Sequence, residues 1–307
     1  GGGNKMKSTE NVLRRRKKFK NWDLIIFMGP YLITFFVFTV LPVFVSFFLS
    51  FTNFNMLETP DFVGLQNYIK LFLNDEVFSG AVQTTLILGI ITGPVGYLMS
   101  FAFAWLLNEV PAKPRSFLTL LFYAPSLAGG FVTVWTLLFS GDSNGYINAW
   151  LLEWGVITEP IIFLKDTNYM FTVCVIIILW QSLGMSFLTF ISGLQTVDKS
   201  LYEAGAVDGI KNRWQELYFI TLPYMRGQLM FGAIMSITNA FNAGSLITSI
   251  FGYPTQDYAL QTIMNHLDDY GSMRYEMGYA STIAVFLFAL SFVANKLVQF
   301  LLSRIGK

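Results

Sequence analysis

The side chains best suited to binding a neutral solute form a polar stripe near residue 240, within an otherwise apolar segment. Asn239 and Asn242 are three residues apart, so on a helix they share one face. Amides and hydroxyls there could bind an uncharged polar solute such as a sugar, or could hydrogen-bond between membrane helices and hold them together. The candidate binding residues are Asn239, Asn242, Ser236, Ser245, Phe241 (for stacking), Tyr279 and Ser281.

The chain lacks the residue combinations that catalysis usually requires. Its 307 residues include one Cys, Cys174, and one His, His266, so neither an intrachain disulfide nor a Cys/His metal site can form. The sequence contains no HExxH, GxSxG or G-x-x-x-x-G-K-[ST] motif. We therefore expect no enzyme activity and no cofactor bound by this chain. Cys174 is expected to be an apolar filler and His266 a surface residue.

The elements that must position the polar stripe follow from the distribution of charge. Charged residues make up 13% of the chain, about half the usual share, which argues against disorder and nucleic-acid binding. A membrane core about 30 Å thick needs roughly 20 apolar residues of helix. The sequence therefore predicts an all-α polytopic membrane protein with six transmembrane helices. They occupy the charge-free stretches 24–57, 77–108, 116–141, 167–197, 227–256 and 277–295.

Lys and Arg residues predict the orientation of these helices. Seventeen of the 20 fall in the two tails and the even-numbered loops, and only Lys70, Lys165 and Arg274 fall on the other side. Because basic loops stay in the cytoplasm, both termini are expected to be cytoplasmic. We divide the chain into a basic tail at 1–22, a membrane domain at 23–303 and a C-terminal end at 304–307. Within the tail, 1–5 resembles a tag remnant, with Met6 as the native start.

The cytoplasmic loop at 195–223 is more structured than a simple connection requires. Ser200 and Glu203 fit a capping box that opens a short helix, and Gly209 suits its end. Asn212 can cap a second short helix. The small residues Ala204, Gly205 and Ala206 would let another surface approach closely. The segment is therefore either a docking element for a cytoplasmic protein or a helical hairpin packed on the membrane.

This loop resembles the EAA loop of ATP-binding-cassette (ABC) importer permeases, and more narrowly that of the maltose-type carbohydrate permeases. Two differences are Gly205 in place of the usual Ala and ten residues, rather than nine, between Gly209 and Ile220. The residues that carry the resemblance are Glu203-Ala204-Gly205, Asp208-Gly209, Arg213-Trp214-Gln215, Ile220-Thr221-Leu222-Pro223 and, in the first external loop, Gly64-Leu65 with Asn67-Tyr68.

The resemblance implies a type I ABC importer permease fold in a bacterial plasma membrane. It also implies four partners: a second permease subunit in a heterodimer, two ATPase subunits that hold ATP and Mg, and an extracellular solute-binding protein. The implied function is ATP-driven import of a carbohydrate, with an oligosaccharide expected. The implied ATPase-coupling residues are Glu203, Ala204, Gly205, Asp208 and Gly209.

Two other functions are compatible with part of the sequence. The substrate could be another polar solute such as glycerol phosphate, carried by the same type of importer. A self-contained channel or secondary transporter is the other alternative. Secondary transporters usually place ionisable residues inside the membrane to couple ions, and the six predicted spans contain no charged residue.

Overall fold

The structure is a computed structural model that describes residues 25–127 and 130–303. Those residues form helices and connecting loops, and their only β-type pairing is an isolated antiparallel bridge between Thr52 and Phe62. The all-α prediction is therefore confirmed for the described part of the chain. The predicted basic tail at 1–22 and C-terminal end at 304–307 lie outside it.

The helices of the described residues follow the apolar runs and the short amphipathic segments between them. Several continue into a π-helical turn: Lys70–Asn74 after α2, Leu217–Thr221 after α10 and Asp269–Met273 after α13. In chain order the helices are α1 (Ile25–Leu49), α2 (Gln66–Ile69), α3 (Glu76–Asn108), α4 (Ala112–Leu127), α5 (Phe131–Leu138), α6 (Tyr146–Glu153), α7 (Thr167–Gln181), α8 (Met185–Thr196), α9 (Lys199–Val207), α10 (Arg213–Glu216), α11 (Arg226–Phe241), α12 (Gly244–Phe251), α13 (Ile263–Asp268) and α14 (Met277–Leu302).

Four helical segments among the described residues are long and apolar enough to cross a membrane. They are α1, α3, the combined segment Thr167–Thr196 and α14. The pair α11 and α12, bent by 45°, makes a fifth if it forms one span. The remaining charge-free run, 116–141, holds α4 and α5, and residues 128–129 between them are outside the described ranges. The count of six spanning helices therefore stays a prediction.

Helices α3, α8 and α11 pack against one another at the centre of the bundle. Phe187 and Phe190 of α8 are fully buried. The Phe190 ring contacts the rings of Tyr97 and Phe101 in α3 nearly edge-on. Gly232 of α11 faces the same ring so closely that a Cβ there would overlap it. Small residues of this kind let membrane helices approach each other, so this contact fixes the positions of the three helices around the polar stripe.

The predicted external end of the bundle is closed by segments that fold inward. The sequence predicts a helix break near 252–254, and α12 does end at Phe251. The following segment is not a surface loop, however, because Leu260 and Ile263 are fully buried and α13 packs between α3, α12 and α14. The chain after α1 also packs on α14, where the Thr282 hydroxyl donates to the Ser50 carbonyl at 3.1 Å.

Candidate functional site

A polar cavity of about 380 Å³ lies between α3, α8, α11 and α12, beside two interruptions of helical structure. At Gly184, between α7 and α8, the backbone has φ −113° and ψ −129°. At Asn242, between α11 and α12, it has φ −94° and ψ 15°. Interrupted membrane helices expose backbone N–H and C=O groups that can serve a ligand. Both breaks therefore place polar groups on this cavity.

Every side chain that lines the cavity is uncharged. Four of the seven predicted binding residues meet there, together with two further polar residues from α4 and α7. Such a lining suits hydroxyl-rich solutes, because amides and hydroxyls can both donate and accept hydrogen bonds. The six residues are Ser236, Asn239, Asn242, Ser245, Tyr123 and Gln181.

The amides of Asn239 and Asn242 are open to the cavity. Both residues are exposed, and their side chains hydrogen-bond to no group within 25–127 or 130–303. Ser236 differs, because its hydroxyl lies 3.4 Å from that of Ser186 in α8. The geometry therefore favours ligand contact for the two amides and helix packing for Ser236.

The other three predicted binding residues lie outside this cavity. Phe241 is 7% exposed and lines a separate, apolar cavity between α3, α11 and α14, because one residue of helix turns it about 100° away from Asn242. Tyr279 and Ser281 are buried at the start of α14. The Tyr279 hydroxyl donates to the Asp75 carboxylate at 2.6 Å. Helical spacing predicted correctly that the α11 residues share one face. It gives no information on where α14 packs relative to that face.

The segment at 195–223 folds as two short capped helices. Asp198 opens α9, and its side chain accepts a hydrogen bond from the Ser200 backbone N–H at 3.0 Å. This bond stabilises the ionised carboxyl and holds the pKa of Asp198 below its usual value. The predicted Ser200–Glu203 capping box is therefore wrong, because the acid two residues earlier takes the cap position. The predicted Asn212 cap is confirmed, with its side chain accepting from the Gln215 N–H at 2.9 Å.

Gly205 lets α9 pack closely against the residues that follow it in the chain. The residue is buried, and a Cβ there would lie 2.7 Å from Cδ1 of Ile220 and 3.0 Å from Cδ1 of Ile210. The sequence suggested that this small residue lets another surface approach. Within the described residues, its size instead serves the contact between α9 and the turn after α10.

α9 is exposed on the sides that do not meet Ile210 and Ile220, and its exposed residues are partly apolar. Val207, on the side opposite Gly205, is 88% exposed, and Leu201, one turn before Gly205, is 40% exposed. Exposed apolar side chains on a loop of this kind are typical of a protein–protein contact. Four of the five predicted coupling residues share this exposure: Glu203, Ala204, Asp208 and Gly209.

Comparison with known protein families covers both the cavity and this loop. Residues 94–307 match the model of the binding-protein-dependent transport system inner membrane component family. The chain belongs to this family. The matched region starts within α3 and includes the two short helices, α14 and every cavity-lining residue except Thr92.

Relatives with similar sequences include several named transport permeases. YesP of Bacillus subtilis, described as a probable ABC transporter permease protein, is 32% identical over 84% of this chain and 83% of its own. The lactose transport system permease protein LacF of Rhizobium radiobacter is 28% identical over 75% of each chain. The arabinooligosaccharides transport system permease protein AraP of Halalkalibacterium halodurans is 27% identical over 88% of this chain and 84% of its own.

Solved structures share the fold of this permease. A chain of a bacterial ABC transporter that imports the acidic polysaccharide alginate aligns with a TM-score of 0.77 and 22% identity, over 96% of this permease and 100% of that chain. A chain from the alginate transporter in complex with its pentasaccharide-bound periplasmic protein aligns with the same TM-score and 21% identity, over 95% and 98%. At these identities the comparison establishes the importer permease fold.

A second polar cluster, which the sequence did not predict, lies at the predicted external end of the permease. Asp75 caps α3 by accepting the Phe78 N–H at 2.9 Å. Its Oδ2 accepts from the Tyr279 hydroxyl at 2.6 Å and lies 2.9 Å from Nε2 of His266. His266 is 3% exposed, so the expectation of a surface residue is wrong. No group of three or more His, Cys, Asp or Glu residues within the described ranges is arranged to hold a metal ion.

The charge on Asp75 is stabilised by these partners. Burial disfavours the ionised carboxyl, but hydrogen bonds from Tyr279 and the Phe78 backbone, together with His266, hold the pKa of Asp75 below its usual value. The cluster connects the start of α3 to α13 and α14. It therefore fastens the start of α3 to two elements that lie about two hundred residues later in the chain.

Replacing Asp75 with Asn should destabilise the permease near pH 7 by about 1.5–3 kcal/mol, the usual contribution of hydrogen bonds to a charged group. Because the pKa is depressed in the folded state, this stabilisation is present above the ordinary carboxyl pKa of about 3.9 and is lost as pH falls through the folded value. Thermal unfolding of the detergent-purified permease should show the difference at neutral pH and a smaller one in acid.

Asp166→Asn is the matched control for this substitution. Asp166 caps α7 by accepting the Asn168 N–H at 2.9 Å, but it has no histidine or tyrosine partner within the described residues. Since Asn caps helices about as well as Asp, we expect a change below about 0.5 kcal/mol. Equal losses for the two variants would show that the Asp75 cluster contributes no more than a helix cap.

Proposed function

We propose that this chain is one half of the membrane channel of an ABC importer. In this proposal six helices span a bacterial plasma membrane, with both termini in the cytoplasm. A second permease subunit completes the channel as a heterodimer. Two ATPase subunits, one of which binds α9, hydrolyse ATP with Mg, and an extracellular solute-binding protein delivers the substrate. The exposed, partly apolar face of α9 supports the ATPase contact.

We propose a neutral oligosaccharide as the substrate. The observation that carries this is the cavity beside the two helix breaks, where Asn239 and Asn242 present amides that have no partner in the described residues. Amides on the wall of a polar cavity are suited to pair with sugar hydroxyls, because each amide can both donate and accept. The names of relatives that transport lactose and arabinooligosaccharides support the same class.

The alternative substrates fit the cavity less well. Glycerol phosphate carries a negative charge, which proteins usually bind with Arg, Lys or a helix N-terminus. The cavity lining contains neither Arg nor Lys, so only the N-termini of α8 and α12, where the two helix breaks lie, could attract the phosphate. An acidic sugar polymer such as alginate would meet the same difficulty. Ion-coupled secondary transport would require an ionisable residue at the site, and this lining has no charged side chain to supply one.

The test is ATP-driven oligosaccharide uptake by the complete importer in liposomes, assembled with the permease, ATPase and binding protein encoded beside this chain. Asn242→Ala should lower uptake about fivefold, because the variant loses one hydrogen bond to the passing sugar, worth about 1 kcal/mol. The affinity of the binding protein for the sugar should stay unchanged. A panel of neutral oligosaccharides, an acidic oligosaccharide and glycerol phosphate would identify the substrate class.

Thr238→Ala provides the matched control. Thr238 lies in the same helix beside Asn239, but its hydroxyl donates to the Ile234 carbonyl at 2.9 Å and it does not line the cavity. Uptake by this variant should equal that of the unmodified importer. If Asn242→Ala has no effect while the importer transports sugar, then the cavity is not the substrate path. Uptake of glycerol phosphate in place of sugars would refute the proposed substrate.

A further inference from the structure

The two short helices of residues 199–221 form one packed unit, which we name the cytoplasmic hairpin. The hydroxyls of Tyr202 in α9 and Thr221 lie 3.0 Å apart. Gly205 of α9 lies directly against Ile220. Since α10 runs into the π-helical turn that contains both Ile220 and Thr221, a displacement of α9 must carry α10 with it.

Two of the three central helices are joined to the hairpin through the chain itself. α8 leads into it and α11 follows it, so both are pulled when the hairpin moves. α3 has no such connection, yet it lines the polar cavity with Thr92 and Gly96. α3 also packs against α8 and α11 through Phe190, and a contact between α3 and the hairpin would add a second connection at the cytoplasmic end.

Arg213 and Trp214, at the start of α10, make that contact. Nη2 of Arg213 lies 2.6 Å from Oε2 of Glu109, the C-cap residue directly after α3. The ring of Trp214 lies 5.2 Å from the ring of Trp105, one turn earlier in α3. Trp105 and Gly96 belong to the same helix, about 13 Å apart by helical rise. The contact is thus rigidly connected to the cavity.

We propose that the Glu109–Arg213 and Trp105–Trp214 contacts form a coupling link that transmits the movement of the cytoplasmic hairpin to α3. This rests on the proposed function, in which the ATPase moves α9. The four side chains are positioning residues, because they lie at the cytoplasmic end of α3 and not in the polar cavity. Without the link, α3 would follow α8 and α11 only through their packing around Phe190, and the cavity would open less completely for each ATP hydrolysed.

The link is too exposed to serve mainly as a folding element. The side chains of Glu109 and Arg213 are 43% and 62% exposed, and Trp214 is 70% exposed. Ion pairs at such positions contribute little to stability, because water and salt screen them. A substitution that breaks the pair should therefore leave folding and assembly intact. Its effect should be seen in transport.

The structure also supplies a matched control. The same guanidinium pairs with Glu216 through Nη1 at 3.0 Å, but this second pair lies within α10 and does not reach α3. Glu216→Gln removes a charge of the same kind from the same arginine and leaves the coupling link in place. A defect confined to Glu109→Gln would therefore be specific to the contact with α3.

The experiment uses the complete importer in liposomes, with sugar uptake and ATP hydrolysis measured together. Glu109→Gln and Arg213→Gln should each reduce the sugar moved per ATP by about three- to tenfold, the range expected for residues that carry coupling. The charge exchange Glu109→Arg with Arg213→Glu, made in the Glu216→Gln background so that residues 213 and 216 are not both carboxylates, should restore most of this ratio. Glu216→Gln should leave it unchanged, and co-purified ATPase and melting temperature should be unaffected in all four proteins.

Three results would overturn the proposal. The first is an unchanged amount of sugar moved per ATP in both Glu109→Gln and Arg213→Gln. The second is an equal loss of this ratio in Glu216→Gln, and the third is a charge exchange that does not restore the ratio. Loss of the ATPase from Arg213→Gln but not from Glu109→Gln would assign Arg213 to the partner and overturn it as well. Failure of the proposed function is a separate observation, because the unmodified importer would then take up no oligosaccharide while still hydrolysing ATP.

Discussion

Replacing Glu203 with lysine should reduce ATP-driven uptake about a hundredfold while the permease still folds and enters the membrane. Glu203 is exposed on α9, and its side chain makes no hydrogen bond or ion pair with a group in the described residues. The substitution therefore breaks nothing within them. If Glu203 meets a basic group on the ATPase, lysine places two like charges together, which costs several kcal/mol. A loss of that size removes most of the bound ATPase.

The measurement is the amount of ATPase that co-purifies with the permease, followed by uptake in liposomes. Glu203→Gln removes the charge without reversing it and should give an intermediate loss. Glu153→Lys makes the same charge reversal at an exposed residue of α6, at the predicted external end, and should bind the ATPase normally. Normal ATPase recovery with Glu203→Lys would mean that α9 does not dock through this residue.

Features that depend on local chain chemistry were predictable from the sequence. Charge-free runs located the apolar helices, because a charge in lipid is costly and interrupts such a run. Helical spacing placed Asn239 and Asn242 on one face, and they do line one cavity. Asn212 was recognisable as a cap, since capping is decided within three residues.

Features that depend on contacts between distant segments were not predictable. His266 looked like a loop residue, and only the packing of α13 against the start of α3 brings it to Asp75. Gly205 looked like a partner contact until the side chain of Ile220 was found against it. The cap at Asp198 is an exception, because it depends on local sequence and could have been predicted. Asp and Ser cap helices about equally well, so Asp198 and Ser200 were both candidates for the cap of α9.

The Gly278→Ala variant should lose about 3 kcal/mol or more of stability, the upper end of what one added methyl costs in a packed interior. Gly278 starts α14, and its N–H donates to the Phe54 carbonyl at 2.8 Å. A Cβ at this position would overlap the carbonyl oxygen of Thr52. That carbonyl cannot move aside freely, because it accepts a hydrogen bond from the Asn67 amide at 2.8 Å. The added methyl must therefore separate α14 from the chain after α1.

Gly80→Ala is the matched control, because a Cβ on Gly80 in α3 meets nothing within 4 Å. Alanine there should be neutral or stabilise the helix by up to about 1 kcal/mol. The yield of monodisperse permease and its melting temperature measure both variants.

A double-mutant cycle tests the reason for the loss at Gly278. Asn67→Ala releases the Thr52 carbonyl, so Gly278→Ala should cost less in that background than alone. A variant that fails to fold gives no melting temperature. The yield of folded protein is therefore measured for every variant in the cycle as well. Strictly additive losses would show that Asn67 does not hold this carbonyl against α14. A Gly278→Ala variant as stable as Gly80→Ala would show that the chain after α1 yields easily.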